Sequence, residues 1–264
     1  MNVYVNVDIE GISGVYTREQ VLPEEYRFAE GRRLMTADVN AVAKGLKAAG
    51  VDKVYVCDTH GGSYSLIWED VSDDVDYCIC GHTAETRYLG LEDCDAVILL
   101  GYHAMAGTHC AILEHSWSSK SIQNVWINGK KVGEIAMDAS VAGEHGKPII
   151  MLSGDDKACA EAKEVIPHVV CAEVKKACAI GGGMLLPPKK AHELIEQKAI
   201  EAVKAFKENK CKLYDFDKPL ECKVEYTERT VLPNTNKMPY VKIVDGRTVS
   251  IEADSTEQLI SRIC

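Results

Sequence analysis

Val3, Val5 and Val7 occupy every second position near the start of the chain, with Tyr4 and Asn6 between them. That two-residue period predicts a strand, ending where Gly11 and Gly14 break the pattern. After a polar stretch, the alanine-rich segment from Leu34 to Ala49 places Val39, Val42 and Leu46 at helical spacing and stops at Gly50. A glycine there suits the left-handed turn that closes a helix. Lys53-Val-Tyr-Val-Cys57 returns to strand character. Asp95-Ala-Val-Ile-Leu-Leu100 is a continuous apolar run, as expected of a strand covered on both faces in a parallel sheet. Strands and helices therefore alternate, which predicts an α/β layer.

Antiparallel strands enter further along. Asn128-Gly129 lies between two short apolar stretches, the strongest local signal for a two-residue hairpin. Pro148-Ile-Ile-Met-Leu152 predicts another strand, with Asp155-Asp156 placed to cap the alanine-rich helix that follows. Gly181 to Gly183, with no following Lys-Ser or Lys-Thr, is no phosphate loop and reads as a flexible connection. Beyond Pro187-Pro188 the pattern predicts a long helix to about Asn209, a strand over Glu221 to Tyr226, a hairpin around Asp245-Gly246 and a short final helix. The expected fold is a three-layer α/β/α core with a mainly parallel sheet over 1–156, followed by a smaller α+β region over 157–264.

Composition narrows the function classes. Of 264 residues, 46% are hydrophobic and 27% charged, enough apolar content for a packed core and too much for a disordered chain. No apolar run approaches the ~20 residues of a membrane span. Forty acidic against thirty basic residues leave a net charge of −10, a field that repels nucleic acid and anionic lipid. The chain opens on Met-Asn-Val-Tyr-Val with no basic region or cleavage site of an export signal, so the expected location is the cytoplasm. Its eleven cysteines are odd in number, scattered and without a C-x-x-C pair, which predicts buried free thiols rather than a disulfide framework or zinc finger.

Chemistry-bearing residues collect at strand ends. In Asp8-Ile9-Glu10-Gly11, alternation turns both carboxylates to one side just beyond the first strand. In open α/β sheets that end of the strands is where ligands bind. Cys57-Asp58-Thr59-His60-Gly61-Gly62 repeats the arrangement after the second strand, and Gly101-Tyr102-His103 sets a histidine just past the long apolar run. Carboxylate and neutral imidazole are ligands for zinc, manganese and related ions. His115, in the polar segment His115-Ser-Trp-Ser-Ser119, has the residue type for proton transfer near neutral pH. Glu134 follows Gly133 at a helix start, where the helix dipole alone accounts for an acid. The ordinary alternatives are a solvated loop for Asp8 and Glu10, a structural role for His60 and a surface position for His115.

Taken together, these motifs resemble those of the DppA-type D-aminopeptidases, a family of zinc-dependent peptidases. The matching elements are Asp8-x-Glu10-Gly11, Asp58-x-His60-Gly61, Gly101-x-His103-Ala-Met-Ala-Gly107, His115-Ser, Gly133-Glu134 and the Ser153-Gly154-Asp155-Asp156 turn. They fit in order and approximate spacing across residues 1 to about 156, with a looser match in the C-terminal third. The resemblance implies two zinc ions per subunit, with Asp8 bridging both, Glu10 and His60 completing one site, and His103 and Glu134 the other. It implies cleavage of the N-terminal peptide bond of short D-amino-acid-containing peptides by a metal-activated water, with His115 as acid/base or nucleophile. Asp58 would orient His60. The resemblance further implies a ring-shaped homodecamer with short peptides as partners. The competing expectations are a metal-dependent amidohydrolase acting on another amide and a non-catalytic peptide-binding protein.

Overall fold

The computed structural model describes residues 1–83, 86, 88–232 and 237–263. In chain order the elements are β1 (Asn2–Val7), α1 (Phe28–Ala48), β2 (Lys53–Asp58), β3 (Tyr77–Ile79), β4 (Ala96–Tyr102), β5 (Ile122–Ile127), β6 (Lys130–Val132), α2 (Glu134–Glu144), β7 (Ile149–Asp155) and α3 (Asp156–Val165). They continue with β8 (Val170–Ala179), β9 (Gly182–Leu185), α4 (Pro188–Lys207), β10 (Leu220–Tyr226), β11 (Val241–Ile243), β12 (Thr248–Ala253) and α5 (Thr256–Ile263).

Seven strands form the main sheet in the order β3-β2-β1-β4-β7-β8-β9, parallel except for β9. The alternation in β1 sorts its side chains between two cores. Val3, Val5 and Val7 pack with Val39, Val42 and Leu46 of α1 and Ile195 and Ala199 of α4. Tyr4 faces the opposite layer, where Leu99 and Leu152 of the sheet meet Ile135 and Met137 of α2 and Ala158 of α3. All seven residues of β4 are buried, as its unbroken apolar run requires.

The second sheet is antiparallel, in the order β11-β12-β10-β5-β6. Val125, Ile127, Val224 and Ile251 turn its inner face into the α2 core. Its β5–β6 hairpin closes through Asn128 (φ 52°) and Gly129 (φ 77°), both left-handed as a two-residue turn of this kind demands. Strands from either side of residue 156 enter both sheets. Asp155 caps α3, its Oδ1 accepting from the backbone N–H groups of Lys157 and Ala158.

Two features differ from the sequence reading. The glycines at 181–183 do not form a flexible connection: the chain turns back and pairs as β9 along β8, with Lys175 opposite Leu185 and Lys176 opposite Met184. Main-chain pairing supplies the order that glycine side chains do not. The three-residue edge strand β3 carries no apolar alternation and gives no signal of its own. The described cysteines are all free thiols, but among them only Cys57, Cys94, Cys159 and Cys222 are buried, while Cys80 and Cys178 are exposed, so the expected burial holds only for those four.

Candidate metal centre

The strand order reverses direction at β1, which has β2 on one side and β4 on the other. Beyond the carboxyl ends of these three strands stand Asp8 and Glu10, His60, and His103, the place where such sheets bind ligands. Close main-chain packing sets the spacing. Gly11 N–H donates to the Gly101 carbonyl at 2.7 Å, and a Cβ on Gly11 would lie 2.0 Å from the Tyr102 carbonyl oxygen. Gly101, at φ +71°, likewise presses against the Asp8 carbonyl. Glu134 arrives from the first turn of α2, and His115 from a loop on which Leu113 (φ 57°) and Trp117 (φ 62°) both hold left-handed backbone.

The six expected residues converge. His60 Nδ1 lies 3.2 Å from Asp8 Oδ1 and 3.2 Å from Glu10 Oε2. His103 Nε2 lies 3.4 Å from Asp8 Oδ2 and 3.3 Å from Glu134 Oε1. The two oxygens of Asp8 thus face different histidines. His115 Nε2 is 3.8 Å from Glu134 Oε1, and its ring stacks on that of His103 at 4.0 Å between centroids. The atoms of Asp8, Glu10 and His103, and those of His103, His115 and Glu134, each gather within 4.8 Å.

Each imidazole is oriented by a main-chain carbonyl. His60 Nε2–H donates to Val21 O at 2.8 Å, His103 Nδ1–H to Ala104 O at 3.0 Å, and His115 Nδ1–H to Leu113 O at 3.0 Å. The other ring nitrogen of each faces the carboxylates, the position from which it would serve a bound metal or a proton transfer. Trp117 N–H donates to Glu134 Oε1 at 2.7 Å and steadies that carboxylate. Asp58 plays a different part from the one expected. Its oxygens accept from the backbone N–H of His60 at 3.1 Å and of Ser65 at 2.6 Å, so it shapes the loop rather than the ring.

The electrostatics call for a cation. Burial opposes charge on His60, yet Glu10 and Asp8 outweigh it and push the imidazole up to about 12. The same contest, with Glu134 and Asp8 as the anions, raises His103 well above its usual range. Burial likewise opposes ionisation of Glu10 and Glu134, but His60 holds Glu10, and His103 holds Glu134, below the ordinary carboxylate range. Glu10 Oε2 and His103 Nε2 are buried with no hydrogen-bond partner. Orphaned donor atoms of oxygen and nitrogen type, facing one another across an anionic pocket, fit divalent zinc.

The centre opens into a cavity of about 580 Å³, whose far wall includes Thr86 and, from α5, Glu257, Ile260 and Ser261. His82, unremarkable in the sequence, lines its rim. Two further charged residues behind the centre escape sequence reasoning. Glu161 of α3, pushed up to about 7 by burial, accepts from Met105 N–H at 2.8 Å. Lys175 of β8, pushed down to about 8 by burial, donates into the loop that carries Glu10.

A mainly parallel α/β sheet with carboxylates and imidazoles at its switch point, opening on a cavity of substrate size, defines a metal-dependent hydrolase. The chain belongs to the D-aminopeptidase family, peptidase family M55, which matches residues 1–263. It is 31% identical over 252 residues to the D-aminopeptidase of Bacillus subtilis (strain 168), covering 94% of this chain and 89% of that protein. Its fold matches that of the solved Zn-dependent D-aminopeptidase DppA from Bacillus subtilis, described as a self-compartmentalizing protease, with a TM-score of 0.91. That match has 29% identity and covers 100% of this chain and 97% of the other.

Proposed function

We propose that the chain is a zinc-dependent aminopeptidase that releases the N-terminal residue of short D-amino-acid-containing peptides, using two zinc ions per subunit. The observation that carries the two-ion reading is Asp8, whose Oδ1 faces His60 and whose Oδ2 faces His103. Glu10 and His60 complete one position, and His103 and Glu134 the other. The D-peptide reading rests on the family and on the solved relative, itself a D-aminopeptidase, whose zinc dependence supports the metal. Bound zinc supplies the Lewis acid that polarises the scissile carbonyl.

The protein's own part is orientation and proton movement. With the five ligands occupied, His115 is a further imidazole at the cavity wall, stacked on His103, and its Nδ1–H is tied to the Leu113 carbonyl. Its Nε2 can therefore take a proton from the attacking group and return it to the departing amine. His115 Nε2 also lies near enough to Glu134 to act as a ligand beside His103, so a metal count on a His115 variant separates the two roles. The region after residue 156 completes the cavity through α5.

The assembly is a homo-oligomer, a decameric ring by resemblance, acting in the cytoplasm. The self-compartmentalizing relative supports an enclosed assembly. So do Ile180 and Met184, which stand 92% and 61% exposed around the β8–β9 turn, apolar surface that a second copy would cover. The test of the activity is hydrolysis of matched D- and L-alanyl dipeptides by zinc-loaded protein, with a chelator-treated sample alongside. Chelator-sensitive cleavage of the D-form alone is expected. Cleavage of neither would overturn the substrate reading.

A further inference from the structure

Lys175 is a charged residue inside the protein, only 2% exposed, yet none of the chemistry above uses it. Its Nζ donates to the carbonyls of Glu10 at 2.6 Å, Ile12 at 3.1 Å and Val15 at 2.6 Å. All three ammonium N–H bonds are thus spent on main chain rather than on a carboxylate. Three carbonyl dipoles from one short segment point at a single buried atom, an arrangement their mutual repulsion would open in the absence of a positive charge.

That segment is the one leaving β1. It carries Asp8 and Glu10, turns at Gly11 and Gly14, and runs on to Val21, whose carbonyl holds the His60 ring. Asp38 of α1 grips it at Ser13, through the backbone N–H at 2.8 Å and the hydroxyl at 2.6 Å. Gln20 ties it internally by donating to Gly14 O and accepting from the N–H groups of Tyr16 and Thr17. Of these three clamps, Lys175 alone bonds to the peptide of Glu10 itself. The other half of the centre comes from elsewhere: His103 from the end of β4 and Glu134 from α2.

We infer that Lys175 is a positioning residue for one of the two zinc positions, an internal ammonium that folds the 10–15 segment so that the Glu10 carboxylate meets His60. It acts through Glu10 and not through His103 or Glu134. The inference rests on the two-position reading above and sharpens it, because it makes the two positions differ in what supports them.

The test compares zinc binding to the unaltered protein, Lys175→Met and Lys175→Arg by competition against a chromophoric chelator. Zinc content and the melting temperature of the metal-free forms are measured in parallel. The expected result is a loss of tenfold or more in affinity at one position only, within the range for groups that orient ligands. The same substitutions made in a His60→Ala background should then cost no further zinc, because the position they support is already lost. Unchanged affinity at both positions, or equal weakening of both as a general packing defect would give, overturns the inference. Should Lys175→Met fail to fold, Lys175→Arg decides on the same criteria. It keeps the charge, but its planar fork cannot aim three donors from one nitrogen. Unaltered protein that binds a single zinc would instead overturn the two-position reading, a separate outcome visible before any variant is made.

Discussion

His115 shows how much a single residue's surroundings decide. Its ring is packed against His103 and its Nδ1–H is fixed, so removing it should spare the metal and stop the proton transfer. His115→Ala is expected to keep the zinc content of the unaltered protein while losing roughly 100-fold or more in kcat, the usual share of a general acid or base. Zinc analysis beside steady-state kinetics checks both halves. Glu161 makes a prediction about pH. Its folded-state pKa of about 7 lies above the ordinary carboxylate value because burial penalises the charged form. The folded protein therefore holds a proton that the unfolded chain releases, and stability falls as pH rises from about 4.5 toward 7. In metal-free protein, Glu161→Gln, which keeps the acceptor for Met105 N–H, should be more stable than the unaltered chain at pH 8 by on the order of 2 kcal/mol. At pH 4.5 the two should be alike. Urea unfolding at the two pH values measures the difference.

At the scale of elements, the centre is a product of how closely β1 and β4 approach past their ends. Gly11→Ala would drive a methyl into the Tyr102 carbonyl, backbone that cannot swing aside. The expected cost is about 3 kcal/mol of stability with lowered zinc affinity, read from thermal unfolding and metal titration. Element scale also explains what was legible in the sequence. Asp8, Glu10, His60 and His103 stand out because each follows a recognisable apolar strand, and strand ends in an α/β sheet share one edge. Glu134 shows only as a helix-start acid, and its part in the centre depends on α2 docking from another layer. Lys175 and Glu161 are charges among others in β8 and α3, indistinguishable in sequence from the lysines and glutamates around them. Their burial comes from neighbours more than a hundred residues away for Lys175 and more than fifty for Glu161. Asp58 stands two residues before His60, but whether its carboxylate reaches ring or backbone is decided by a turn that spacing does not specify. The β8–β9 hairpin was hidden because glycines carry no side-chain pattern, while its hydrogen bonds are made by main chain.

For the molecule as a whole, a net charge of −10 surrounds a centre built from carboxylates. Ten copies assembled in a closed ring would set that charge around a shared interior and restrict entry to short peptides. Light scattering on the purified protein should then give a mass near ten times the 29.0 kDa subunit, and replacing Ile180 and Met184 with charged residues should lower it. A subunit-sized mass for the unaltered protein would reject the ring.

The three carbonyls that orient the imidazoles, those of Val21, Ala104 and Leu113, belong to the peptide backbone rather than to any side chain. Every amino acid brings the same carbonyl, so a substitution at position 21 or 113 that holds the local fold should leave the tautomer it sets unchanged. The aim of the three histidines is thus set by the course of the main chain rather than by the side chains it carries at those points.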